Sequence, residues 1–229
     1  MITLWLTGCG APTALTLAPL GGRPSSKLVG NDWKVLTMPR ARNRRDVLLN
    51  AALDSFTQRG YDATSVAELA TATGMSKAAV SYHFRTKNDL LHAVADPLLD
   101  SLDALIDRHP TTPHWPDGVR ALLEDYLTTL TNHSQVAAWV DSDKAVLNHP
   151  QIGARLHHNT ERICQAITGS TANGTAATAR ATAALGSLWR PIRTLTPAQL
   201  ATHRDALLHT AMAGCAPTDT PPKPTAPPT

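Results

Sequence analysis

The sequence predicts an all-α protein, with a three-helix amino-terminal domain followed by a larger helical one, and three observations lead there. Apolar residues recur at three- and four-residue spacing through most of residues 42–213, no segment alternates like a half-buried strand, and most glycines and prolines fall between the periodic segments. At 229 residues the chain is long enough for a sizeable core and two unequal domains. No apolar run approaches the roughly 20 residues needed to span a bilayer, so no membrane partner is expected.

Residues 1–37 show no helical period and contain Gly8, Gly10, Pro12, Pro19, Gly21, Gly22 and Pro24, so a disordered or non-native extension is expected there. Leu6-Thr7-Gly8-Cys9 faintly resembles a lipoprotein cleavage site, but no basic residue precedes it and the apolar stretch is too short for a signal sequence. Met38, directly before the basic run Pro39-Arg40-Ala41-Arg42, is an alternative start for the working protein.

A first helix is predicted over 42–59, where Leu48, Ala52 and Phe56 share a face, and Gly60 stops it. Ser65 and Glu68 form a capping-box pattern that opens a short second helix with Val66, Leu69 and Ala70 inward. Gly74 breaks that helix, and Ser76 caps a third that runs from Lys77 to His83 with Val80 inward. Thr86 and Asp89 cap a fourth, periodic to about residue 107, in which Pro97 is expected to cause a kink or break. After a loop marked by Pro110, Pro113 and Pro116, helices are predicted at about 117–132, 135–148, 151–169, 175–190 and 197–213. The domain reading is therefore 40–87, then 88–213, with 214–229 a disordered tail, since the last thirteen residues hold six prolines.

Charge divides along the same lines. Residues 40–87 carry eight basic and four acidic residues, a net of +4, while residues 88–229 carry ten basic and thirteen acidic ones, a net of −3. A positive footprint confined to the amino-terminal helices points to a polyanionic partner for that part alone. Two short helices joined by a tight glycine turn, the second with an exposed face of short and polar groups, meet the requirements of a helix-turn-helix whose second helix enters the major groove of double-stranded DNA. Lys77, Ala78, Ala79, Ser81, Tyr82 and His83 make up that face.

These residues also carry a family resemblance. Ala63-Thr64-Ser65-Val66-Ala67-Glu68-Leu69-Ala70, Thr73-Gly74-Met75-Ser76-Lys77 and Tyr82-His83-Phe84-Arg85-Thr86-Lys87-Asn88-Asp89-Leu90-Leu91 resemble the DNA-binding region of TetR-type regulators. Leu48 to Phe56, followed by Gly60, is similar to that family's first helix, so the resemblance covers about residues 42–92. It implies a DNA-binding transcriptional regulator, a repressor released by a small-molecule ligand, with a carboxy-terminal domain that binds the effector and dimerises. It also implies that Ser65, Tyr82, His83 and Lys87 touch the DNA backbone while Lys77, Ala78, Ala79 and Ser81 lie nearest base edges. Many members carry a long polar or basic side chain where this chain has Ala67. The arm Arg40, Arg42, Arg44 and Arg45 is a candidate compensation, neutralising phosphates or entering the minor groove.

In the later domain the small-residue stretch at about 175–190 and the helix at about 197–213 are expected to form a homodimer interface, which sets two recognition helices against a palindromic operator. Trp115, Tyr126, Trp139 and Trp189 are candidate walls of an effector pocket. His149, His157 and His158 lie at poor spacing for a metal, and no cofactor is expected. No nucleophile motif, phosphate loop or paired-carboxylate pattern points to catalysis, which weighs against a helical enzyme or carrier with a merely structural amino-terminal bundle. The three scattered cysteines, Cys9, Cys164 and Cys215, fit a reducing cytoplasm.

Overall fold

Two glycines in the left-handed region punctuate the amino-terminal helices. Gly60, at φ 86°, ends the first helix, and Gly74, at φ 64°, makes the turn between the second and third. The computed structural model describes residues 42–109, 114–169 and 175–216, so the expectations for residues 1–37 and 217–229 lie outside the described residues. Within them the chain runs α1 (Arg42–Arg59), α2 (Val66–Ala72), α3 (Lys77–His83), α4 (Lys87–Arg108), α5 (Asp117–Asn132) and α6 (Ser134–Ser142). It continues through α7 (Lys144–Leu147), α8 (Ile152–Thr168), α9 (Thr175–Trp189), a 3-10 turn (Arg190–Arg193), α10 (Pro197–Thr202) and α11 (Arg204–Cys215). Every regular element among the described residues is helical, as the periodicity predicted.

The apolar positions that set the helical period are the ones that are buried. Leu48, Ala52 and Phe56 of α1 meet Leu69 of α2, Val80 of α3 and Leu90 and Leu91 of α4, all within one contiguous core. Further along α4, Leu98, Leu99, Leu102 and Leu105 are buried where the helix packs on α5 and α8. A single helix thus belongs both to the amino-terminal bundle and to the later helices. At roughly 1.5 to 3 kcal/mol for each fully buried leucine, its seam is among the largest stabilising features of the chain.

Three expectations about helix continuity need correction. Pro97 does not break α4, which runs unbroken from Lys87 to Arg108. The proline is solvent-exposed, so the carbonyl deprived of its helical partner can be hydrated rather than stranded in the core. The helix predicted over 135–148 is two helices, because the Asp143 side chain caps α7 by accepting from the Ala145 amide at 3.0 Å. The helix predicted over 197–213 loosens at His203, after which Arg204 ties α11 to α5 through the Glu124 carbonyl and the Thr128 hydroxyl. The last helix also runs on to Cys215, two residues past the predicted end.

At the α7–α8 junction the backbones approach closely. A Cβ on Gly153 would lie 2.1 Å from the Leu147 carbonyl oxygen, a contact only glycine avoids. Helices α9 and α11 pack along one another, with Ala184 about 3.5 Å from the position a Gly214 Cβ would take.

Candidate nucleic-acid interface

The helix-turn-helix is held by reciprocal caps. Ser65 and Glu68 exchange side-chain and backbone hydrogen bonds at the start of α2, and Glu68 also pairs with Arg59 of α1 at 3.0 Å. The Ser65 amide and hydroxyl hydrogen-bond with Glu68, and the carboxyl of this exposed glutamate is held below its usual range, first by the backbone of Ser65. At the far end of α2 the Met75 amide donates to the Ala70 carbonyl at 2.9 Å and the Gly74 amide to Thr71 at 3.2 Å. That pair of bonds with a left-handed glycine is a Schellman stop, and it fixes the angle at which α3 leaves. Ser76 then caps α3 by accepting from the Ala79 amide, and a second capping box, Thr86 with Asp89, opens α4.

With both helices anchored by Leu69, Ala70 and Val80, the outer face of α3 is left to solvent. Lys77, Ala78, Ser81 and Tyr82 are exposed, and Ala79 and His83 are half-exposed. Tyr82 has 86% of its surface exposed and stands edge-on to the His83 ring, 5.4 Å between centroids. A ring that the fold leaves bare, in a row of short side chains, is not a core position, which makes this face a candidate interaction surface. Phe84, by contrast, is buried and closes the helix from below.

The predicted basic residues divide. Arg44 and Arg45 are exposed on α1, and the Arg45 guanidinium sits 5.0 Å above the Phe84 ring, which brings this arginine to the carboxy-terminal end of α3. The side chain of Arg42 lies outside the described residues, as does Arg40. Lys87 occupies the first turn of α4, where its ammonium donates to the Asp62 carbonyl at 3.1 Å and lies 4.2 Å from the centre of the Tyr61 ring. Lys87 therefore clamps the loop between α1 and α2 as well as adding positive charge beside the free amides of a helix start, a place suited to phosphate. Ala67 is exposed on α2 and offers no polar group.

One residue that the sequence did not single out connects this bundle to the later helices. The Asp143 carboxylate accepts from the Tyr61 amide at 2.6 Å and from the Trp139 indole nitrogen at 3.1 Å. Trp139 stacks on Phe56 of α1, 5.1 Å between centroids, and Phe56 meets Tyr61 edge-on at 5.5 Å. Gln135 of α6 adds a hydrogen bond to Asp54 of α1 at 2.9 Å. An aspartate followed by a four-residue helix is a capping signature, but its partner Tyr61 lies 82 residues away, a pairing that no local pattern encodes.

The four candidate pocket residues separate as well. Tyr126 and Trp189, with ring centroids 6.3 Å apart, line a cavity of about 360 Å³ together with Leu147, Leu156, Leu185 and Arg190. Trp139 is buried in the core beneath α1 and is not part of that lining, and Trp115 lies exposed ahead of α5. No grouping of metal-ligating side chains is found among the described residues, and no helix among them is long and apolar enough to cross a membrane.

Comparison with known proteins agrees with this geometry. Residues 48–94 match the model of the tetR family of bacterial regulatory proteins. The chain is 29% identical over 146 residues to the transcriptional activator FasR of Mycolicibacterium smegmatis, covering 63% of this chain and 66% of that protein. It is 26% identical over 125 residues to the transcriptional repressor Rv1474c of Mycobacterium tuberculosis, covering 55% and 63%. These matched stretches span just under two thirds of each relative. In fold, it superimposes on the ketosteroid transcriptional regulator KstR2 of Mycobacterium tuberculosis with a TM-score of 0.59 over 76% of this chain and 96% of that one, at 17% identity. Residues 48–94, which hold α2, α3 and the start of α4, are thus similar to the amino-terminal region of the tetR family of bacterial regulatory proteins.

Proposed function

We propose that the chain is a homodimeric repressor, acting in the cytoplasm, that binds a palindromic operator through α3 and is released by a small molecule. The observation that carries this is the outer face of α3, rigidly capped at both ends and left bare, with Tyr82 86% exposed among short side chains. In this reading Lys77 donates to guanine O6 or N7, and Ala78, Ala79 and Ser81 permit close approach to base edges. Ser65, Tyr82, His83 and Lys87, with Arg42, Arg44 and Arg45, contact the backbone.

Dimerisation supplies the second half-site. Helix α9 presents Ala179, Ala183 and Gly186 outward, and α11 presents Ala206, Thr210 and Ala213, all exposed in the single chain. A flat face of small side chains allows the same helices of a second copy to approach closely about a two-fold axis. The small molecule acts by binding the arrangement that does not fit DNA, and it can shift the equilibrium only by its differential affinity for the two arrangements.

A gel shift on the DNA flanking the gene, repeated across salt concentrations, tests the reading. Retardation by a discrete fragment, weakening steeply as salt rises, is the expected result, since phosphate neutralisation releases counterions. No retarded species on any flanking fragment would refute it, and enhanced transcription with bound protein would make it an activator.

A further inference from the structure

We propose that the cavity bounded by α5, α8 and α9 takes a mostly apolar, flat molecule bearing a carboxylate or similar anionic acceptor, an inference that rests on the effector reading above. At about 360 Å³ the space falls at the lower end of the roughly 300–1,000 Å³ range of small-molecule sites. Leu147, Leu156 and Leu185 supply aliphatic walls, and the rings of Tyr126 and Trp189, inclined at 36°, supply flat ones.

The polar groups of the lining are unbalanced toward donors. The Trp189 Nε1, which can only donate, is buried and has no partner among the described residues. Tyr126, whose phenol hydroxyl is a further polar group of the lining, is 4% exposed. Burial also pushes that hydroxyl's pKa up, so it stays protonated and able to donate. The Thr160 hydroxyl proton is already committed to the Leu156 carbonyl at 2.9 Å.

Charge points the same way. Asp141 and Arg190 are the charged members of the lining. The Asp141 carboxylate is taken at 3.2 Å by Arg193, leaving Arg190 at 4.0 Å from the same oxygen and largely in solvent. Two guanidiniums share one carboxylate, so the mouth of the cavity holds a surplus positive charge and a fork of donors free to turn inward. An entering acceptor satisfies groups that the protein leaves unpaired, whereas an entering ammonium must compete with two arginines for Asp141.

The test uses the full chain and three probes of one shape: 2-naphthoate, 2-naphthalenemethanol and 2-naphthylmethylamine, titrated calorimetrically. The carboxylate should bind about ten-fold more tightly than the alcohol, and the amine most weakly, because a charge-assisted pair is roughly twice as strong as a neutral one. In Arg190→Gln, a substitution on a side chain largely in solvent, that preference should disappear while alcohol affinity holds, and Arg190→Lys should restore part of it. Trp189→Phe should weaken carboxylate and alcohol alike. An amine that binds as well as the carboxylate, or a carboxylate preference intact in Arg190→Gln, overturns the proposed ligand class and leaves the effector reading standing. Failure of all three probes to bind overturns both at this cavity.

Discussion

At the scale of single residues, the two lysines flanking α3 are separated by what they already touch. Lys77 is exposed on the outer face, whereas Lys87 is engaged by the Asp62 carbonyl and the Tyr61 ring in the free chain. Lys77→Ala should therefore relax preference at one base pair by about 1 to 3 kcal/mol without affecting folding. Lys87→Ala should weaken all DNA sequences similarly and flatten the salt dependence, and should also cost about 0.5 to 1 kcal/mol of stability from the lost ring contact. Titrations against operator variants and bulk DNA, alongside denaturant melts, separate the two. Equal loss of specificity from both substitutions would contradict the assignment.

At the scale of elements, Asp143 is a polar tie between the amino-terminal bundle and the later helices, beside the leucine seam of α4. Asp143→Ala leaves the Tyr61 amide and the Trp139 indole N–H unpaired in or beside the core. A loss of about 2 to 4 kcal/mol is expected, since each stranded buried donor costs roughly 1 to 3 kcal/mol. Urea unfolding measures it, and a change below about 0.5 kcal/mol, the level of an ordinary surface substitution, would show that the carboxylate is not a tie.

The junction of α4 with α7 and α8 carries a pH dependence of definite sign. His149 donates through Nε2 to the Asn88 side chain at 2.9 Å, and its Nδ1 faces the Ile152 amide at 3.3 Å, an arrangement that suits the neutral ring. Burial, with His92 beside it, lowers its pKa from the ordinary 6.5, and burial does the same for His133. The unfolded chain then binds more protons than the folded one just below pH 6.5, so stability is fully present above that value and falls as the pH drops toward the folded pKa. Thermal unfolding between pH 7.5 and pH 5 should show Tm falling with acid, and His149→Gln should reduce the slope. A Tm that rises with acid would contradict the neutral-ring geometry.

At the scale of the whole molecule, local chemistry could be read ahead of the structure and long-range chemistry could not. The caps at Ser65, Ser76 and Thr86 and the stop at Gly74 are encoded within four residues of themselves, and each is realised. The outer face of α3 follows directly, because one inward residue, Val80, fixes which side of a seven-residue helix is left over. Trp139 misled because an aromatic residue in a helical period looks the same whether it lines a cavity or stacks on Phe56, and only the packing of α6 on α1 decides. Asp143 was not legible because its value lies in a partner 82 residues away, and the continuity of α4 through Pro97 was not because the cost of a proline depends on whether it faces water.

Two copies of α3, related by a two-fold axis, reading one palindrome: protection of the flanking DNA from cleavage by the bound protein bears on this directly. Two protected half-sites related by inverted symmetry, with centres about 34 Å or a multiple of one helical turn apart, are expected. A single asymmetric footprint, or uniform protection without half-sites, would contradict it.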